Sequence, residues 1–331
     1  MRYLGSKTLL LNNIKQIAME YKEQGCFCDP FGGIGTVGSF MKSLGYSVIT
    51  GDILNFAHYF QISLIQNNKL PDFNNLMNLT NTKSHEELEA YLSRITKDEG
   101  WFIKEYSVER GYFTENNAKH IQACIDSIWK WKDEGVIDEN SYAVLIASLI
   151  QSLDKVANTA GTYYAYLKEY YRKSKKAFKF RFLMPTIGQS DGKSVLMNAN
   201  DLVKKCKCDI LYLDPPYNER NYGRYYHLPE TIAVGKIPIP KGKSGVYVSE
   251  SKPSQYNNKR EATVAFENLV HNSTAGCIIF HYTDNGLINT ADTRDILNQL
   301  GEVEEFYFDS RGYNTTSHAN QCQHHIFRVI R

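Results

Sequence analysis

The chain has 331 residues, 42% of them hydrophobic and 22% charged, with a formal charge of +2 and a mean hydropathy of -0.43. That length is ample for a buried core and excludes a small stapled scaffold. No apolar run approaches the ~18 residues that cross a bilayer, and the leucines near the N-terminus are too few for a secretory signal, so a cytoplasmic protein with no membrane partner is expected.

Ser6 is placed to cap a helix whose apolar residues Leu10, Ile14, Ile17 and Tyr21 recur at helical spacing until Gly25 stops it. Residues 26–29 (CysPheCysAsp) read as a short buried strand, and 30–35 (ProPheGlyGlyIleGly) as a glycine-rich turn. A helix with Val37, Phe40, Met41 and Leu44 follows, closed by Gly45, and then a strand at 46–50 that ends at Gly51 and Asp52. This is a βαβ order with an acid at the tip of its second strand, as in a doubly wound, mostly parallel α/β sheet.

From 67 to 150 the text turns polar and then helical, with Ile121, Ile125, Ile128 and Trp129 on one face and Val144, Leu145, Leu149 and Leu153 on the next. That segment is expected to be a helical insertion, leaving 1–66 and 151–331 as the main domain. Parallel strands are expected to resume at 208–214, 276–282 and 303–308, with a last strand at 325–330. The Pro-, Gly-, Ser- and Lys-rich stretch 235–260 reads as a long loop, a length that in a compact domain usually serves function.

Two segments carry chemistry. At AspProPheGlyGlyIleGly (29–35), glycines at a strand-to-helix turn let the backbone approach a ligand, and Asp52 suits the two hydroxyls of a ribose. Taken alone, this element fits any nucleotide-type site, or a turn without a ligand. At AspProProTyr (214–217), prolines stiffen the backbone after a strand, so the Asp214 carboxylate and the Pro215 carbonyl can be aimed at one small donor. An exocyclic base amine is such a donor. Bonds from both its hydrogens favour a pyramidal nitrogen, and Tyr217 can stack on the base. Alone, the same text also fits a proline-stiffened loop.

Together, the two segments resemble the adenine-specific DNA methyltransferases of type II restriction-modification systems, the Dam-like class, in their alpha motif order. The resemblance covers most of the chain: residues 2–7 (ArgTyrLeuGlySerLys), 29–35, Asp52, 154–161, Asp201, 214–217 and 225–232. It implies a class I methyltransferase fold and S-adenosylmethionine as cofactor. Tyr3 and Lys7 would then border the methionine end; Asp29, Pro30, Phe31, Gly33 and Gly35 the methionine and ribose; Asp52 and Ile53 the ribose; Asp201 and Leu202 the adenine. Asp214, Pro215, Pro216 and Tyr217 would hold a flipped-out target adenine, with Asp214 also next to the cofactor.

The implied partner is double-stranded DNA with a short specific site, alongside a possible cognate restriction endonuclease and a monomer or weak dimer. The candidate target-recognition region is 67–150, although acids outnumber bases between 83 and 139 and a net acidic surface repels phosphate. Backbone contacts are therefore expected from Arg172, Lys173 and Lys176 in the basic run 168–181, from Arg220, Tyr222 and Arg224, and from Lys241 and Lys243.

Rival chemistries are weaker. Methylation at a cytosine carbon needs a thiolate, usually after a proline, and no ProCys occurs. A zinc site from Cys26, Cys28, Cys206 and Cys208 is rejected because Cys28 and Cys208 stand five residues out of step relative to Asp29 and Asp214, ~16 Å at strand rise. CysGlnHisHis (322–325) abuts the final strand, so no metal is expected. An RNA or protein-amide methyltransferase would more commonly carry Asn at 214, and a silent DNA-binding subunit would have a damaged signature. Neither is the case.

Overall fold

The computed structural model describes residues 1, 3–246, 254–310 and 322–331. Arg2 of the 2–7 segment, residues 247–253 of the expected loop and the side chains of Cys322 and Gln323 lie outside the described residues. Two compact units emerge: a sheet unit of Lys7–Ile53, Thr186–Asn221 and Lys252–Arg331, and a helical unit of Met1–Ser6, Leu54–Pro185 and Tyr222–Ser251.

In the sheet unit seven strands lie in the order β3-β2-β1-β4-β5-β7-β6. They are β1 (Cys26–Asp29), β2 (Ser47–Asp52), β3 (Lys193–Leu196), β4 (Ile210–Leu213), β5 (Cys277–Thr283), β6 (Glu302–Ser310) and β7 (Cys322–Ile330). The pairs β3·β2, β2·β1, β1·β4 and β4·β5 are parallel, whereas β7 runs antiparallel to both neighbours. All of β4 and β5 is buried, which is why both read as unbroken apolar text. Helices α1 (Leu11–Tyr21), α2 (Thr36–Ser43), α3 (Ala199–Lys205), α4 (Ala262–His271) and α5 (Thr290–Asn298) complete the unit, and one core joins Val203, Leu211, Leu213, Phe266 and Phe280. This is the doubly wound class I methyltransferase fold.

Three local expectations differ from the structure. Ser6 does not cap α1: its N–H closes a turn on the Tyr3 carbonyl, a 3-10 turn fills Thr8–Leu10, and the cap position Leu10 has no side-chain bond. Strand β3 was not anticipated, because a four-residue edge strand needs little apolar text. Segment 303–308 forms a strand that runs in the direction of β5, but its pairing is antiparallel, to β7, which lies between the two.

The helical unit contains the expected insertion 67–150 and also takes in 54–66, 151–185 and 222–251. Its long helices, Glu115–Asp133 and Glu139–Asp154, start at side-chain caps: Thr114 accepts from Asn117 N, and Asp138 from Ser141 N. Ile121, Ile125 and Ile128 are buried, as are Val144, Leu145, Leu149 and Leu153. Trp129 is half-buried, and its Nε1 donates to the Ile232 carbonyl at 3.1 Å.

Candidate active site

The site residues of the sheet unit gather where β1 has β2 on one side and β4 on the other, at the carboxyl ends of all three, the usual ligand edge of such a sheet. Strand β1 delivers Asp29 and Pro30 into the turn. Gly33 (φ 50°) and Gly35 (φ 81°) take the left-handed backbone that lets the chain reverse into α2, a conformation other residues rarely adopt. Two bonds tie the turn to β2: Gly32 N donates to Gly51 O at 2.9 Å and Gly33 N to Asp52 Oδ2 at 3.1 Å. A Cβ on Gly51 would lie 2.5 Å from the Leu202 side chain, so Leu202 is seated against the end of β2. Asp201 is exposed, with Oδ2 held by Asn198 Nδ2 at 2.5 Å at the start of α3, and Ile53 is exposed just past Asp52.

Asp214 follows β4. Its Oδ2 pairs with Lys7 Nζ at 2.7 Å, and Lys7 is only 6% exposed. Pro215 is buried, and Pro216 and Tyr217 are half-buried. Tyr217 accepts from Leu287 N at 3.2 Å through its carbonyl, while its ring and that of Phe31 pack on the same core. Phe31 also meets Tyr256 edge-on at 4.9 Å.

Burial dominates the electrostatics here. Asp29 is 2% exposed, and burial, with the Asp214 charge second, pushes its carboxyl up to about 8. Its Oδ1 is buried and has no hydrogen-bond partner among the described residues. Burial also raises Asp214, and the Lys7 ammonium opposes that rise. One residue of the neighbourhood, His281, escaped sequence reasoning, and its partner His324 was weighed there only as a metal ligand. His281 of β5 lies 3.7 Å from Asp214 Oδ1 through Nδ1 and bonds His324 Nδ1 at 2.8 Å through Nε2. Burial, reinforced by Lys7, holds both imidazoles below their ordinary range, His324 at about 4. The available signal was a histidine inside the otherwise apolar run 277–282, which such strands rarely bury without a partner.

Other expected residues sit elsewhere. Tyr3 belongs to the helical unit, stacked on Tyr226 at 5.0 Å, with Tyr222 6.0 Å from it. Arg172, Lys176, Arg224, Lys241 and Lys243 are exposed there, whereas Lys173 is half-buried and donates to the Asp154 carbonyl at 3.2 Å. Arg220 is exposed in the sheet unit.

The structure also revises the argument against a thiol cluster. Strand register sets Cys28 level with Leu211, not with a residue one before Asp214, and β4 begins only at Ile210. The chain before it turns out of α3, so Cys206 and Cys208 come back to Cys28, and their three sulfurs lie within 4.8 Å of one another.

The fold and this edge are those of the class I methyltransferase fold, whose cofactor is S-adenosylmethionine. The residues fit that cofactor: an orphaned buried acceptor at Asp29 awaits a donor or cation, glycines open the turn, and Asp52 closes it. A sequence profile described as D12 class N6 adenine-specific DNA methyltransferase matches residues 3–277, and the chain belongs to that family. It is 33% identical over 330 residues to the type II methyltransferase M.NlaIII of Neisseria lactamica, covering 97% of this chain and 95% of that one. Identity is 34% to M.FokI of Planomicrobium okeanokoites and 32% to the modification methylase StsI of Streptococcus sanguinis, across 92% and 91% of this chain. The chain spans about half the length of those two relatives, 48% and 46%.

Proposed function

We propose that this chain methylates the 6-amino group of an adenine flipped out of duplex DNA at a short specific site, as the modification partner of a restriction endonuclease in the cytoplasm. The observation that carries this reading is Asp214, presented by a buried strand and a proline pair, ion-paired to buried Lys7 and electrostatically coupled to Asp29. Family membership supports the same reading.

Lys7, Asp29, Pro30, Phe31, Gly33, Gly35, Asp52, Ile53, Asp201, Leu202 and Asp214 are the proposed cofactor residues within the sheet unit. S-adenosylmethionine, when bound, supplies a methyl group on a positively charged sulfur. Asp29 Oδ1 gains a donor and Asp52 the ribose hydroxyls. The target amine donates one hydrogen to Asp214 and the other to the Pro215 carbonyl, while Tyr217 stacks on the base. The nitrogen lone pair is thereby turned out of the ring toward the electrophile, and orientation supplies much of the rate. Asp214 accepts most strongly while ionised. Lys7 favours that form, and His281 with its His324 bond holds the wall behind it. The methylated amine then loses its extra proton to Asp214 or to solvent.

No helix of the described residues is long and apolar enough to cross a membrane. Phosphate contact is assigned to Arg172, Lys176, Arg220, Arg224, Lys241 and Lys243, with Lys173 and Tyr222 in support, and base reading to 67–150. Labelled methyl incorporation into duplex DNA tests the proposal, together with single-molecule sequencing to read the modified base. The expected label is 6-methyladenine at one short motif. Label confined to RNA or protein, or to cytosine, would reject it.

A further inference from the structure

We propose that Cys28, Cys206 and Cys208 form a binding site for one soft divalent cation, zinc above all, at the root of the strand pair that leads to Asp29 and Asp214. The three sulfurs come from two segments 178 residues apart and converge: Cys28 Sγ is 3.4 Å from Cys206 Sγ, and all three lie within 4.8 Å of one another. Thiolates at ~2.3 Å around a tetrahedral zinc stand about 3.8 Å apart, so an ion needs only small adjustments of side chains already in place. Sulfur donors select such ions over the hard cations that nucleic-acid enzymes usually meet.

The backbone holds this arrangement before any ion arrives. Cys206 N donates to the Leu202 carbonyl and closes α3, while Asp209 N donates to the Cys26 carbonyl and fastens the turn to β1. The Cys-x-Cys spacing between these anchors turns two thiols to the same place. Asp209 also takes Cys26 N at 2.7 Å and Lys22 Nζ at 2.5 Å, so the neighbouring acid is already engaged and is not counted as a ligand. Cys28 is buried, but Cys206 and Cys208 are half-exposed, so the cluster lies at the edge of the core and not within it. Ordinary core packing gives no reason for three thiols from two distant segments to share one spot, since each is only a small apolar side chain there. A bound ion would clip the approach of β4 to β1 one residue ahead of Asp29. It would touch none of the reacting atoms, so the proposal stands apart from the assigned reaction.

The test uses the full chain, reduced and purified without chelator. Elemental analysis should find one zinc per chain. Cobalt(II) titrated into the metal-free chain should produce thiolate-to-cobalt charge-transfer absorption that saturates at one equivalent and is displaced by zinc. Cys206→Ser and Cys208→Ser should each lose that absorption and the retained zinc. Cys26→Ser, on the same strand but outside the cluster, should keep both. Because Cys28→Ser alters a fully buried position, the two half-exposed cysteines carry the test, with circular dichroism confirming that each variant is folded. The proposal is overturned if the reduced chain holds no stoichiometric metal and gives no thiolate band. It is equally overturned if Cys26→Ser loses the metal, or if mass analysis finds a Cys28–Cys206 disulfide in its place.

Discussion

Glu230 of the helical unit and Asp29 of the sheet unit are both buried carboxylates, 3% and 2% exposed, and both are raised by burial. Their surroundings differ in kind. Both oxygens of Glu230 are used: Oε1 accepts from Asn55 N and Nδ2 at 3.1 and 2.7 Å, and Oε2 from Phe56 N at 3.1 Å. They satisfy the open amides at the start of the helix Asn55–Gln61. Asp29 leaves Oδ1 with no partner among the described residues, beside a second carboxylate. A buried acid that completes another element's hydrogen bonds serves folding. One left short of a donor is costly to keep, and marks a place where a ligand completes it.

The largest effect should fall on Asp214. Asp214→Ala removes the amine's anionic acceptor, and methyl transfer measured with labelled cofactor should drop by ~10³-fold or more, with the fold retained by circular dichroism. If the rate survives, the sheet unit does not hold the chemistry and the contrast collapses. Next comes Glu230→Ala, which strands three donors around Asn55. Denaturant unfolding should show a loss of about 2 to 4 kcal/mol, with little change in rate per folded molecule. A rate loss without a stability loss would place Glu230 with Asp29 instead of opposite it.

Lys7→Met sharpens the contrast through pH. Without the ammonium 2.7 Å away, the Asp214 carboxyl rises further, so the acid limb of the kcat/KM profile should move to higher pH. An unmoved limb would mean that Lys7 does not govern the charge of Asp214. Asp29→Asn gives a smaller, condition-dependent signal. In the free chain the Asp29 carboxyl is at about 8, against an ordinary 3.8 when unfolded. Between those values the unfolded chain ionises first, so every rise in pH costs the folded state stability, at most ~1.4 kcal/mol per unit. The Asn variant should therefore melt above the native chain at pH 8, match it near pH 4, and bind the cofactor less well. Equal melting at both pH values would show that Asp29 is not strained in the free state. The smallest effects belong to the exposed bases: neutralising Arg172 or Lys176 should lower the salt-dependence slope of DNA binding by ~0.9 each if each meets one phosphate.

Much of the sheet unit was legible because the strands are short, apolar and punctuated by glycine and proline. Strand β1, the turn after it, Asp52 and the Asp214 signature could all be placed from local text. Edge strand β3 was not legible, since a four-residue strand with both end residues exposed and only Ser194 buried leaves no apolar pattern. The direction of β7 was hidden for another reason: strand order depends on which edge the returning chain meets.

The residue order alone therefore determined the fold class, the nucleotide-type turn and the acid-proline pair, because these rest on backbone preferences that act within a few residues. Only the tertiary structure decided that Lys7 answers Asp214, that His281 stands behind it and that Cys28 faces Cys206 and Cys208. Such pairings join segments up to 207 residues apart. Their geometry is set by strand register and by where helices release the chain, neither of which leaves a mark on local spacing.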